Sequence, residues 1–214
     1  ERVLEYATDI IDDVTDSMIE GLAFHWYSGD HFEAVEMSGR KYPNKVLMSS
    51  ECCGLHPPGQ LGFMGMLGSS KTPETVEYED AVDYAHDMIG NLNAGMNRWI
   101  DWNLCVDKDG GPRHVPYGFT APMIANDDGT YRKDLSFYFI GHFSKYILPD
   151  AIRIGHSRCC DKIEMTAAKN TDGSIAIVLL NKHNDDEEYA IRIQGHIIRI
   201  KTPARTISTL VIRP

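Results

Sequence analysis

Glu51 closes a short apolar run, Lys45–Ser50 (KVLMSS), and two further runs close on equally reactive company. Gly21–Tyr27 (GLAFHWY) ends in His25, Trp26 and Tyr27, and Arg98–Asn103 (RWIDWN) carries Trp99, Asp101, Trp102 and Asn103. A carboxylate set among indoles and hydrogen-bonding side chains suits a sugar. The apolar faces of a pyranose pack on aromatic rings, and its hydroxyls need polar partners. Hydrolysis of a glycosidic bond takes two carboxyl groups, one ionised and one protonated. Glu51 can supply one of them. Position alone leaves plainer roles open: a strand-end Glu also serves as a surface or capping residue, a lone His such as His25 as a packed, hydrogen-bonded one, and Asn103 as a partner for backbone groups where a strand gives way to its loop.

The elements that must hold these residues alternate. Residues 2–12 show helical spacing, Gly21–Tyr27 reads as a strand, 32–40 as a weak helix, Lys45–Ser50 as a strand, 77–97 as a long helix, Arg98–Asn103 as a strand and 134–147 as a helix. That order, αβαβαβα, predicts a parallel α/β sheet, in which functional groups gather at the C-terminal ends of strands. Beyond Pro149 the pattern turns to β-rich runs at Ile163–Ala167, Ser174–Leu180, Tyr189–Ile193 and Ile207–Ile212, with Asp172-Gly173 placed as a hairpin turn. The prediction is therefore α/β over residues 1–150 followed by an antiparallel β-sandwich over 151–214. Three strands cannot close a (β/α)8 barrel, which takes roughly 250 residues. The front is either a small open sheet or the last part of such a barrel.

Composition removes other classes. With a net charge of −10, the chain is a poor candidate for nucleic acid, whose affinity rests on Lys and Arg contacts to phosphates. The 31 acidic residues all lie at or before Glu188, whereas residues 189–214 hold five basic residues and no acid, which reads as a solvated basic sheet face or a contact surface. The longest aliphatic run, Ile175–Leu180, is far too short to span a bilayer. Cys52-Cys53 and Cys159-Cys160 are adjacent pairs among five cysteines. Neighbouring thiols are poorly placed to ligate one tetrahedral ion and no Cys-x-x-Cys spacing occurs, so neither a metal nor another cofactor is expected. Unpaired thiols lean toward a reducing, cytoplasmic compartment. The chain opens at Glu1 inside a helical pattern, as though cut from a longer polypeptide.

Taken together and in order, seven segments resemble the C-terminal half of glycoside hydrolase family 30, in its glucosylceramidase-like form: GLAFHWY (21–27), LMSSEC (47–52), YAHDMIGNLN (84–93), WIDWNL (99–104), GGP (110–112), FYFIGHFSKY (137–146) and DGSIAIVLLN (172–181). The resemblance implies a (β/α)8 barrel, of which this chain holds the last three strands and helices, and a β-sandwich built from both chain ends. It also implies retaining chemistry on β-glucosides or glycolipids. Glu51 then matches the nucleophile and Tyr27 a tyrosine that hydrogen-bonds it. Trp102 matches the floor of the glucose subsite, Asp101 and Trp99 positions near the sugar hydroxyls or in the wall beneath them, and His25 a barrel histidine that orients its neighbours. The family's acid/base, a glutamate within an Asn-Glu-Pro type motif after the fourth strand, has no counterpart here, since the chain contains no Asn-Glu dipeptide. The partner carboxyl is thus expected from a missing N-terminal half. A β-1,6-glucanase of the same chemistry is the rival enzyme, and a non-catalytic carbohydrate-binding fragment the rival of another class.

Two stretches depart from the family pattern. Residues 54–70, rich in Gly and Pro and carrying Phe63, Met64, Met66 and Leu67, follow the expected nucleophile directly. They suit an apolar lid for a lipid aglycone, or else a loop that tucks its hydrophobes inward. Pro116-Tyr117-Gly118 replaces a part of the eighth loop.

Overall fold

Two consecutive β-α-β units build the front of the molecule. A computed structural model describes residues 2–54, 73–112, 114, 118–158 and 160–214. It divides into two compact units, one running to Tyr138 and the other from Phe139 to Pro214. In the first, β1 (Gly21–His25), β2 (Val46–Glu51) and β3 (Arg98–Trp99) form a parallel sheet in that order. Helices α1 (Val3–Ile10), α2 (Phe32–Lys41) and α3 (Pro73–Asn93) alternate with the strands.

Sequence explains these elements locally. In α2, Glu33 lies in the first turn and Arg40 and Lys41 in the last, which complements the helix dipole. Its inner side carries the buried Val35 and Ser38, and the Ser38 hydroxyl donates to the Ala34 carbonyl at 2.7 Å. In α3 the buried side repeats at Ala81, Tyr84, Ala85, Met88 and Ile89, the i, i+3, i+4 pattern of a core-facing helix. A side chain at Gly90 would run into the Phe32 ring at 2.2 Å, so glycine allows α3 and the start of α2 to approach this closely. The spacing predicted α3 to residue 97, yet it stops at Asn93. Gly95 takes the left-handed conformation (φ 101°), Met96 N donates to Asn91 O at 2.9 Å and Gly95 N to Leu92 O at 3.1 Å, the paired bonds that terminate a helix at glycine.

The third strand is much shorter than the six residues expected. Beyond it Ile100 N still donates to Ser49 O at 2.8 Å, and the Trp102 N–H is shared between Cys52 O at 3.0 Å and the Asp101 carboxylate at 2.9 Å. A small mixed sheet, β4 (Cys105–Asp107), β5 (Met123–Ala125) and β6 (Tyr131–Lys133), follows around buried Val106, Ala121 and Ile124. Its strands are too short to show periodicity in sequence. Helix α4 (Leu135–Ser144) begins with Leu135 N donating to the Glu77 carboxylate at 2.8 Å.

The second unit stacks a hairpin on a sheet. β7 (Ile152–Arg153), β8 (Glu164–Lys169), β9 (Ile175–Asn181) and β12 (Thr206–Ile212) are antiparallel in the order β12-β9-β8-β7. β10 (Glu187–Ile193) and β11 (His196–Thr202) pair with each other. Every residue of β9 is buried, and Ile175, Ile177 and Leu179 on its one face meet Tyr189, Ile191, Ile193 and Ile200 of the hairpin. Each such aliphatic side chain contributes on the order of 1.5–3 kcal/mol. The Asp172-Gly173 turn forms as expected, with Gly173 at φ 84° and Ser174 N donating to Asp172 Oδ1 at 2.9 Å. β11 was not anticipated: its turn is Gln194-Gly195, both left-handed (φ 49° and 83°), the geometry usually written Asn-Gly. Arg192, Arg199 and Lys201 stand exposed on the outer face of that hairpin, with Lys201 paired to Asp186 at 2.9 Å. No described helix is long and apolar enough to cross a membrane.

Candidate active site

Parallel pairing brings three strand ends to one edge. The register sets His25 beside Glu51 and Ser49 beside Trp99. An irregularity between Phe24 and His25 shifts the ladder by one residue there. Leu47 and Ser49 are buried, and Glu51, next in the same alternation, is the last residue of β2 rather than the first beyond it.

Tyr27 lies two residues past β1, in a turn closed by Gly29 N donating to Trp26 O at 3.0 Å. From there its hydroxyl donates to Glu51 Oε1 at 3.0 Å and sits 3.2 Å from Cys53 Sγ. Burial pushes the Tyr27 phenol well above its ordinary value, so it is a donor at neutral pH. His25 Nε2 stands 3.8 Å from Glu51 Oε2, beyond hydrogen-bond reach, and its ring meets Tyr27 edge-on at 5.8 Å. Glu51 retains 23% side-chain exposure, enough to be reached from outside.

Asp101 and Trp102 come next to this group through the backbone, since the Trp102 N–H bridges Cys52 O and Asp101 Oδ1. Asp101 Oδ1 also accepts from the Tyr84 hydroxyl at 2.9 Å, while its Oδ2 is buried with no partner among the described residues. Desolvation lifts Asp101 to about 7 against the pull of those two donors. Trp102 presents an exposed ring, 49% accessible, tilted toward Phe119 at 6.4 Å. Trp99 points elsewhere, its indole N–H donating to Asp87 Oδ2 at 3.2 Å. Asn103 is half-buried and takes no part in the hydrogen bonds around Glu51 or Asp101.

Beneath these residues lies a layer the sequence reading missed. Tyr84 sits between Trp26 (5.0 Å) and Trp99 (5.7 Å). Asp87, one helical turn on, accepts from Trp99, from Asn91 Nδ2 at 2.8 Å and from Cys52 Sγ at 3.7 Å. Burial lifts it to about 6, the donors opposing. The available signal was a polar pair, Asp87 and Asn91, placed i, i+4 on the inner side of an otherwise apolar helix. Cys52 is fully buried and meets Ser49 Oγ at 3.1 Å. A third acid, Asp80, reaches about 7 through burial and the neighbouring acids Asp83 and Glu79. Among the described residues no group of three or more His, Cys, Asp or Glu gathers as a metal site. The apolar lid expected of residues 54–70 lies outside the described residues except for Gly54, as does the Pro116–Gly118 departure except for Gly118.

Residues 2–147 match the glycosyl hydrolase family 30 TIM-barrel domain, and residues 150–210 the glycosyl hydrolase family 30 beta sandwich domain. Putative glucosylceramidase 3 of Caenorhabditis elegans is 32% identical over 203 residues, covering 90% of this chain and 36% of that protein. Lysosomal acid glucosylceramidase of Mus musculus is 31% identical over 178 residues, 78% of this chain and 32% of its own length. Endo-1,6-beta-D-glucanase neg1 of Aspergillus fumigatus is 23% identical over 150 residues, 66% of this chain and 30% of its own. Among solved structures, SrfJ from Salmonella typhimurium superposes with a TM-score of 0.89 at 30% identity, over all of this chain and 45% of that one. The chain thus spans about a third of the length of the curated relatives it matches.

Proposed function

The chain belongs to glycoside hydrolase family 30, and from that premise we propose that it carries the nucleophile side of a retaining β-glucosidase acting on glucosylceramide-type or related β-glucosides. Residues 1–150 supply the last three strands and helices of the barrel and residues 151–214 the sandwich. Glu51 attacks the anomeric carbon and the aglycone leaves with a proton from a second carboxyl group. The glycosyl–enzyme ester is then hydrolysed by a water that the same second group deprotonates. That acid/base comes from a part of the enzyme outside residues 1–214 and stands about 5 Å from Glu51, as retention requires.

The observation that carries the reading is Glu51 at the end of β2 with the Tyr27 hydroxyl on Oε1 at 3.0 Å. A nucleophile must be ionised, and a donor aimed at the carboxylate favours that form and fixes its direction. The exposed Trp102 ring serves as the sugar floor. Asp101 and Trp99 make the wall beneath, since Asp101 Oδ1 holds the Trp102 backbone and the Trp99 N–H is engaged by Asp87. His25 flanks the other Glu51 oxygen, and Asn103 borders the Trp102 platform.

The test is the configuration of the first product. Proton NMR during turnover of an aryl β-glucoside by the complete enzyme is expected to show β-glucose before mutarotation. Glu51→Gly supplied with azide is expected to yield the α-glucosyl azide. Initial release of α-glucose overturns the assignment. The similarity to neg1 favours one second reading, a β-1,6-glucanase, which predicts turnover of β-1,6-linked oligosaccharides in preference to glucosylceramide.

A further inference from the structure

We infer that Cys53 is a positioning residue for Glu51: its thiol donates to the Tyr27 oxygen and so commits the one phenolic proton to the carboxylate. This rests on the reading of Glu51 as nucleophile. The Tyr27 hydroxyl lies between two partners, Glu51 Oε1 at 3.0 Å and Cys53 Sγ at 3.2 Å. It has one proton to give. A carboxylate is a far better acceptor than a sulfur, and bonds to charged acceptors are roughly twice as strong as neutral ones. The proton therefore goes to Glu51, and the contact to Cys53 is satisfied only if the thiol donates. Cys53 is 3% exposed, and Tyr27 is its thiol's hydrogen-bond partner among the described residues.

The surroundings keep that thiol protonated. The groups that face the cluster are His25 and Tyr27 from the β1 end, Glu51 and Cys52 from the β2 end, Asp80 and Tyr84 from α3, and Asp101 after β3. Burial, with Asp101, Glu51 and Asp80 as acidic neighbours, lifts Cys53 to about 11. The relay S–H to O–H to carboxylate then runs in one direction, and each bond polarises the next. Cys53 follows Glu51 by two residues, so the same strand end that delivers the carboxylate delivers the group that orients its donor.

The experiment is a double-mutant cycle in the complete enzyme, with Cys53→Ala and Tyr27→Phe alone and combined. Two readouts apply: kcat/KM against pH for an activated aryl β-glucoside, and the Glu51 carboxyl titration followed by carbon-13 NMR. Cys53→Ala is expected to lower kcat/KM about three- to tenfold, the size of one neutral hydrogen bond. It is also expected to move the acid limb and the Glu51 titration upward. In the Tyr27→Phe background it should do neither. Cys53→Ser, a stronger donor of similar size, is expected to restore the rate and lower the Glu51 titration. Equal losses from Cys53→Ala in both backgrounds overturn the relay and leave only packing. Should the Ala variant fail to fold, an unmoved Glu51 titration in Cys53→Ser overturns it. The NMR titration does not depend on turnover, so a failure of the nucleophile assignment and a failure of the relay are read separately.

Discussion

The strand ends of the first unit and the sandwich of the second treat their polar groups in opposite ways. In the sandwich, buried polar side chains saturate backbone groups. Asn181, fully buried, donates to the carbonyls of Asp185, Thr202 and Pro203 and accepts from His183 N. Asn170 does the same for Tyr146 O and Leu148 N. Two exposed acids there, Asp172 and Asp186, are held below the ordinary carboxylate range by hydrogen bonds from Ser174 and Lys201, and the buried Glu164 is paired with Lys182. At and beneath the strand ends, by contrast, Asp101 after β3 and Asp80 and Asp87 of α3 are pushed up to between about 6 and 7 by burial. One region uses its polar groups to hold loops in place. The other keeps carboxyl groups desolvated, which costs stability and is the usual mark of a working site.

The comparison can be broken by substitution, and the largest effect belongs to Glu51. With Glu51 as the proposed nucleophile, Glu51→Gln is expected to reduce glycoside turnover by on the order of 10⁴-fold or more while leaving the thermal midpoint within a degree or two. Asp87→Leu removes the acceptor shared by Trp99 and Asn91. It is expected to cost about 3 kcal/mol in urea unfolding, with Asp87→Asn, which keeps an acceptor, costing about a third of that. Asn181→Ala in the sandwich should cost about 2 kcal/mol with no change in the Glu51 titration. An altered titration would show that the two regions are less independent than their chemistry suggests.

A further effect is a pH dependence of stability. Asp87 and Asp101 hold their protons more tightly in the folded chain than at the unfolded value of 3.8. The folded state therefore binds more protons between about pH 4 and 7, and stability falls as pH rises through that window. Every tenfold gain in a carboxyl group's proton affinity on folding corresponds to about 1.4 kcal/mol at most. Thermal midpoints are expected to be higher at pH 5 than at pH 7.5, and the Asp87→Asn and Asp101→Asn variants should flatten the slope. A rising midpoint from pH 5 to 7.5 would contradict the account.

Much of this was legible in sequence because it depends on period and on strand-end chemistry. The alternation of helices and strands, the Asp172-Gly173 turn and the gathering of His25, Tyr27 and Glu51 all follow from local patterns. What was missed depends on contacts distant in sequence. β3 ends at Trp99, beyond which the Trp102 N–H is shared between Cys52 O and the Asp101 carboxylate, and no propensity encodes that sharing. Tyr84 and Asp87 looked like ordinary members of a helix. Their roles appear only when α3 lies under β3 and offers an acceptor to Trp99. Asn103 had the right type and position, yet it joins none of the hydrogen bonds around Glu51. β11 was hidden by a Gln-Gly turn, in which glutamine takes a left-handed conformation that asparagine more often supplies.

The central claim is that Glu51 is the group that becomes bonded to the sugar. The direct measurement is to incubate the complete enzyme with 2-deoxy-2-fluoro-β-glucosyl fluoride, whose leaving group needs little acid assistance, then digest it and map the modified peptide by mass spectrometry. The account predicts a fluoroglucosyl adduct on the peptide containing Glu51, and none in Glu51→Gln. An adduct on another carboxylate, with Glu51 unmodified, would contradict it.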